Sequence, residues 1–118
     1  MDFLDLNLIF DVLDGIVKEH SMVNLHDNGN FPGFDSEDSC LYFDDNGQLV
    51  WKCYIGTKDE EVINVREECT EHVIKKILEL LLQNKIISRD LYKFLSCEDE
   101  LYINLDNVLK QLLEYEML

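Results

Sequence analysis

The sequence predicts an α+β fold with an N-terminal helix, a small antiparallel sheet and a helical C-terminal half. Three observations carry the prediction. Apolar residues recur at helical spacing as far as Glu19, strand formers cluster between Cys40 and Ile55 around an Asn-Gly turn, and helical spacing returns after Val65. The 118 residues fit one domain, 1–118, and a hydrophobic content of 47% supplies the material for its core.

The first helix is expected from about Phe3 to Glu19. Leu6, Ile9, Phe10, Leu13, Ile16 and Val17 form one stripe, with Asp11, Asp14 and Lys18 opposite. Asp2 and Asp5 fall in its first turn, where the helix dipole favours anions. Leu4, Leu8 and Val12 fall off the stripe, so more than one side of the helix is expected to be covered. Met22 to Leu25 reads as a short strand. His26 to Ser39 reads as a loop, because Asn28-Gly29-Asn30 and Pro32-Gly33 are turn formers. Phe31 and Phe34 are its large apolar residues, available either to pin the loop or to meet a partner.

Cys40–Phe43 and Leu49–Ile55 flank Asp45-Asn46-Gly47-Gln48, the pattern of a hairpin turning at Asn46-Gly47. A two-residue turn pairs Phe43 with Val50, Tyr42 with Trp51, and Cys40 with Cys53. One face then holds Tyr42, Leu49, Trp51, Cys53 and Ile55, and the other holds Leu41, Phe43, Val50 and Tyr54 around Lys52. Two apolar faces imply a place inside a larger sheet, and Glu61 to Val65 offers a third strand. A helix is expected from Glu67 to Asn84, a shorter one capped by Ser88, and a last one starting near Asn104 or Asp106.

No pattern for catalysis or cofactor binding emerges. Cys69-x-x-His72 has ligand spacing but no second pair to complete a metal site. Asp44-Asp45-Asn46-Gly47 is followed six residues later by Cys53, where a calcium loop needs glutamate. Phosphate-binding glycine motifs are missing, and no nucleophile signature surrounds any of the four cysteines. The expectation is a protein that is not an enzyme, with no metal and no cofactor. The acidic start and the short apolar runs argue against a secretory signal or membrane span, so a cytoplasmic chain with reduced thiols is expected.

Charge is the outlying property: 25 acids against 10 bases, a net of −15. Met1 to Trp51 carries a net of −10 and Lys52 to Leu118 a net of −5. Such a field repels nucleic acid and anionic lipid and attracts basic proteins. Solubility alone is the plain alternative. Lys85, Arg89 and Lys93 give the segment from Leu81 to Leu95 a superficial helix-turn-helix character, which the overall charge opposes. Asp35, Glu37, Asp38, Asp44, Asp45, Asp59, Glu60 and Glu61 fall in expected loops or turns, with Phe31 and Phe34 nearby, and form the candidate binding residues.

In size and charge the chain is similar to bacterial toxin-immunity proteins, small acidic inhibitors of basic nuclease toxins. It is similar in the same two respects to acidic secretion chaperones and to DNA-mimic inhibitors. The first resemblance implies occlusion of a basic partner's active site; the second implies a dimer that holds an extended chain. No residue is carried over from any of them.

Overall fold

A computed structural model describes residues 6–27, 37–68, 70–96 and 103–115. Helix α1 (Leu6–His20) leads into a four-stranded antiparallel sheet in sequential order: β1 (Met22–Asp27), β2 (Glu37–Phe43), β3 (Leu49–Cys53) and β4 (Glu61–Asn64). Four helices follow: α2 (Val65–Glu68), α3 (Glu71–Gln83), α4 (Arg89–Leu95) and α5 (Leu105–Glu114). The expected α+β order is therefore present. The hairpin forms the centre of the sheet, with β1 and β4 at its edges.

Helix α1 buries a wider arc than the stripe. Val12 and Gly15 join Ile9, Phe10, Leu13, Ile16 and Val17, whereas Leu6 is exposed. Lys18 and His20 sit in the last turn, where the helix dipole favours cations. Ser21 then adopts a left-handed backbone, φ 65°, and the chain enters β1. Asp2 and Asp5 lie outside the described residues. The expected loop from His26 to Ser39 is shorter than predicted, because β1 continues to Asp27 and β2 starts at Glu37. Ladder pairing of His26 with Asp38 and of Leu25 with Ser39 overrides the polar composition there.

The hairpin turn also differs from expectation. The Gly47 N–H donates to the Asp44 carbonyl and the Asp44 N–H to the Gln48 carbonyl, each at 2.9 Å, enclosing a three-residue loop. Within that loop only Gly47 is left-handed, φ 76°, so Asn46 keeps an ordinary backbone. Asp44 Oδ1 accepts from the N–H groups of Asn46 and Gln48, both at 2.9 Å, and holds the turn from inside. The extra loop residue moves the register by one. Phe43 faces Leu49, Tyr42 faces Val50, Leu41 faces Trp51 and Cys40 faces Lys52. Since strand side chains alternate, β2 presents the opposite face from the one expected.

Val23, Leu25, Leu41, Leu49, Trp51 and Cys53 consequently join one core with Ile74, Ile77, Leu78 and Leu81 of α3 and the buried arc of α1. Val50 and Cys40, across the sheet, are buried outside that cluster, while Met22 and Val62 beside them are exposed.

The single helix expected from Glu67 to Asn84 is two helices. Asn64 Oδ1 accepts from the Glu67 N–H at 3.2 Å, and Glu68 reaches back to the Asn64 N–H at 2.7 Å, so α2 is closed locally as one turn. Thr70 is extended, and its hydroxyl accepts from the Val73 N–H at 3.2 Å, starting α3 afresh. At the far end of α3, Lys85 is left-handed, φ 61°. The Ile86 and Lys85 N–H groups return to the carbonyls of Leu81 and Leu82, a Schellman closure. Lys85 thus ends α3, where the helix dipole favours its charge. Ser88 caps α4 as expected, accepting from the Leu91 N–H at 3.1 Å.

Helix α5 starts at its cap Asn104 and is fastened by side chains. Asp90 accepts from the Asn104 N–H at 3.1 Å and from Asn107 Nδ2 at 3.0 Å, while Gln111 and Tyr115 each donate to the Ile86 carbonyl at 3.1 Å. No helix among the described residues is long and apolar enough to cross a membrane.

Two measurements test this architecture. Gly47→Ala places a Cβ on a left-handed residue with open space around it, so its cost is conformational, about 1–2 kcal/mol by urea unfolding. Asn46→Ala costs clearly less; equal losses would restore the two-residue turn. The Asn107 and Asn104 donors hold Asp90 below its ordinary value of 3.8. Its stabilising effect is therefore present above that value and lost as pH falls through the depressed one. Asp90→Asn should be less stable than wild type at neutral pH, and the gap should close in acid.

Candidate functional site

A cavity of about 480 Å³ lies where the helix-facing side of the sheet meets α3. Its floor is Trp51 and Cys53 of β3, with Ile63 and Glu61 of β4 directly across from them. Its wall is His72, Val73, Lys76, Glu79 and Leu80 of α3, spaced so that one helix face turns toward the sheet. Asp38, Ser39 and Tyr54 close the end.

The polar groups of this cleft are unusual. Trp51 Nε1 and Ser39 Oγ are both buried and have no hydrogen-bond partner. The two residues are 7% and 5% exposed. Leaving a buried donor unpaired costs about 1–3 kcal/mol. Sequence dictates this placement indirectly. Ser39 occupies a core-facing position because the three-residue hairpin loop sets the register of β2, and Leu25 and Leu41 hold that face against the core.

Beside the cleft runs the β3–β4 turn, Tyr54 to Glu60, of which Tyr54 lines the cleft. Tyr54 and Gly56 are both left-handed, φ 53° and 82°. Side chains close the turn: Thr57 Oγ1 donates to the Tyr54 carbonyl at 2.8 Å and accepts from the Asp59 N–H at 3.1 Å. Glu60 accepts from the Gly56 N–H at 3.2 Å and lies 3.7 Å from Lys52 Nζ. The Ile55 N–H donates to the Asp38 carbonyl at 3.2 Å, which ties the turn to β2. A left-handed tyrosine stores backbone strain at the mouth of the cleft.

The candidate binding residues are divided by this geometry. Asp38 and Glu61 line the cleft, while Asp59 and Glu60 sit in the adjoining turn, with Glu60 beside Lys52. Asp44 and Asp45 lie at the opposite end of β2, about 20 Å away at roughly 3.3 Å per strand residue, and Asp44 is committed to the hairpin turn. Asp38 is paired with His26 Nδ1 at 2.6 Å. Glu37 opens β2 opposite Asp27. Phe31, Phe34 and Asp35 lie outside the described residues, as does Cys69 of the Cys69-x-x-His72 pair; His72 is exposed. Among the described residues no cluster of three or more histidine, cysteine, aspartate or glutamate side chains is placed to hold a metal ion.

Sequence reasoning missed the α3 wall. His72, Lys76 and Glu79 follow helical spacing beside the apolar stripe, a pattern visible in the chain, but nothing there pointed to the sheet they face. Ser39 was beyond reach, since its orientation depends on the register. No family model, curated protein or solved structure matches this chain.

Cys40 and Cys53 form no disulfide and lie on opposite faces of the sheet rather than across from each other. Burial, partly offset by Lys52 and reinforced by Glu60, raises the Cys40 thiol above its ordinary value. Mild oxidation should therefore yield no Cys40–Cys53 disulfide, and alkylation of Cys40 in the native protein should be slow at neutral pH. Peptide mapping by mass spectrometry checks both, and a Cys40–Cys53 bridge would contradict the register.

Proposed function

We propose that this protein is an acidic inhibitor of the immunity or antitoxin type, which binds a basic partner protein and covers its active site. The observation that carries the reading is the set of acids at one end of the sheet: Asp38 and Glu61 line a cleft with unpaired polar groups in its walls, and Asp59 and Glu60 belong to the adjoining turn. An acidic rim steers a basic surface into contact, and the cleft supplies a place for that surface to be held. No catalytic step and no cofactor is part of this reading, and its setting is the cytoplasm. A nuclease-type toxin is the kind of partner it suits, since such a toxin carries basic residues where it meets nucleic acid.

The chaperone reading has less support. Holding an extended chain by strand addition needs a free sheet edge. Asn84 bonds both the N–H and the carbonyl of His26 on β1, each at 3.1 Å, and Glu68 takes the N–H of Asn64 on β4.

The test replaces Asp38, Asp59 and Glu60 together by their amides and measures association with a basic protein that co-purifies with the chain or is encoded beside it. Association should slow by roughly tenfold at low salt, with the rate converging on wild type as salt rises from about 0.05 to 0.5 M. The melting temperature should change little, because exposed charges contribute little to stability. Asp45→Asn, at the other end of the sheet, should leave the rate nearly unaltered. An association rate indifferent to both the triple change and salt reduces the acidity to a solubilising role.

A further inference from the structure

We infer that the cleft between α3 and the sheet is a binding site for a short basic peptide segment, with a backbone carbonyl on the Trp51 indole N–H and an arginine or lysine head between Glu61 and Glu79. The inference rests on the inhibitor reading and names the part of the partner that is held.

Trp51 and Ser39 come first. The indole nitrogen is a donor only, so the group that completes it is an acceptor. Ser39 Oγ can give or take a hydrogen bond, and it lines the same cleft. Both atoms are closed off in the free protein, so their partner must enter the cleft and part its walls to reach them. A peptide carbonyl is a neutral acceptor of the right kind, and a polypeptide brings carbonyls at every residue.

Charge decides the rest. Glu61 stands on β4 across from Cys53, and Glu79 stands on α3 facing the sheet, so the two carboxylates line the cleft from two elements. Among the described residues neither carboxylate makes a hydrogen bond or ion pair. Lys76 and His72 lie on the same wall, but the molecule as a whole carries −15, which disfavours an anionic occupant. Ile63, Val73 and Leu80 provide apolar walls for the aliphatic stem of an arginine or lysine. A volume of about 480 Å³ is within the range of sites that hold small ligands, and suits a segment of a few residues.

Trp51 is the single tryptophan of the chain, so its indole N–H gives one isolated signal in a ¹H–¹⁵N spectrum of the full-length protein. The probe is a capped glycine-arginine-glycine tripeptide, with the glutamine and glutamate analogues as controls at constant ionic strength. The arginine peptide should move the indole proton downfield in a saturable way. The glutamine analogue should bind more weakly by roughly three- to tenfold, and the glutamate analogue should give no saturable shift. Glu61→Gln with Glu79→Gln should weaken the arginine peptide by a similar factor while leaving the free-protein spectrum dispersed. An indole signal that stays still, or one that responds equally to the glutamine or glutamate peptide, overturns the assignment. The two readings fail separately. If no peptide binds but the Asp38, Asp59 and Glu60 amides still slow the basic partner, the cleft assignment is lost and the inhibitor reading stands. If the peptide binds while partner association ignores those amides and salt, the cleft remains and the inhibitor reading is lost.

Discussion

The left-handed backbone at Gly47 governs what each face of the sheet contains. With Gly47 closing onto the Asp44 carbonyl, the loop has three residues, and every residue of β2 takes one of two sides accordingly. Leu41 turns inward beside Trp51 and Val23, and Ser39 turns inward beside Leu25. Shifting the loop by one residue would send Leu41 outward and bring Cys40 and Tyr42 into the core. The unpaired hydroxyl in the cleft and the separation of the two cysteines both descend from that one turn. Asp44 reinforces it at both ends of the loop, which explains why an acid stands there without reference to any partner.

The same accounting changes the meaning of the acidity. Several acids are occupied within the fold: Asp44 by turn amides, Glu68 by the N–H of Asn64, Asp90 by the start of α5, and Glu60 by the N–H of Gly56. Asp11 and Asp14 meet Arg66, whose guanidinium also lies 5.2 Å from the centre of the Phe10 ring. In these places a carboxylate does what a chain with one proline and five glycines otherwise lacks means to do: it completes backbone donors at turns and helix starts. Asp59 and Glu61 are among the acids whose carboxylates are not used in this way.

Much of the architecture was legible because it depends on short-range pattern. The periodicity of α1, the Ser88 cap and the strand formers around the turn each act within a few residues, and each lies where expected. What was not legible depends on competition between similar local choices. Asn46-Gly47 satisfies either a two-residue or a three-residue loop, and the choice rests on whether Asn46 must turn left-handed. Thr70 reads as one more residue of a long helix until its extended backbone is seen. Polar residues from His26 to Ser39 read as loop because propensity is weaker than ladder pairing with a neighbouring strand. For the site, Asp38 and Glu61 were visible individually, but their meeting with α3 across the cleft is a tertiary fact that no local pattern encodes.

Two of the buried polar groups left without partners meet in one place. Asp14 Oδ1 is also buried without a partner, but backbone groups of His26 and Asn64 at the sheet edges are taken up by side chains, which helps guard those edges against strand addition. Against that background, the unpaired Trp51 and Ser39 and the left-handed Tyr54 lie around a single cleft. Phenylalanine at Trp51 and alanine at Ser39 would have removed both unpaired groups with little loss of apolar packing. Two unsatisfied polar groups facing one cleft suit a ligand, since the ligand then relieves a cost that the free protein has already borne.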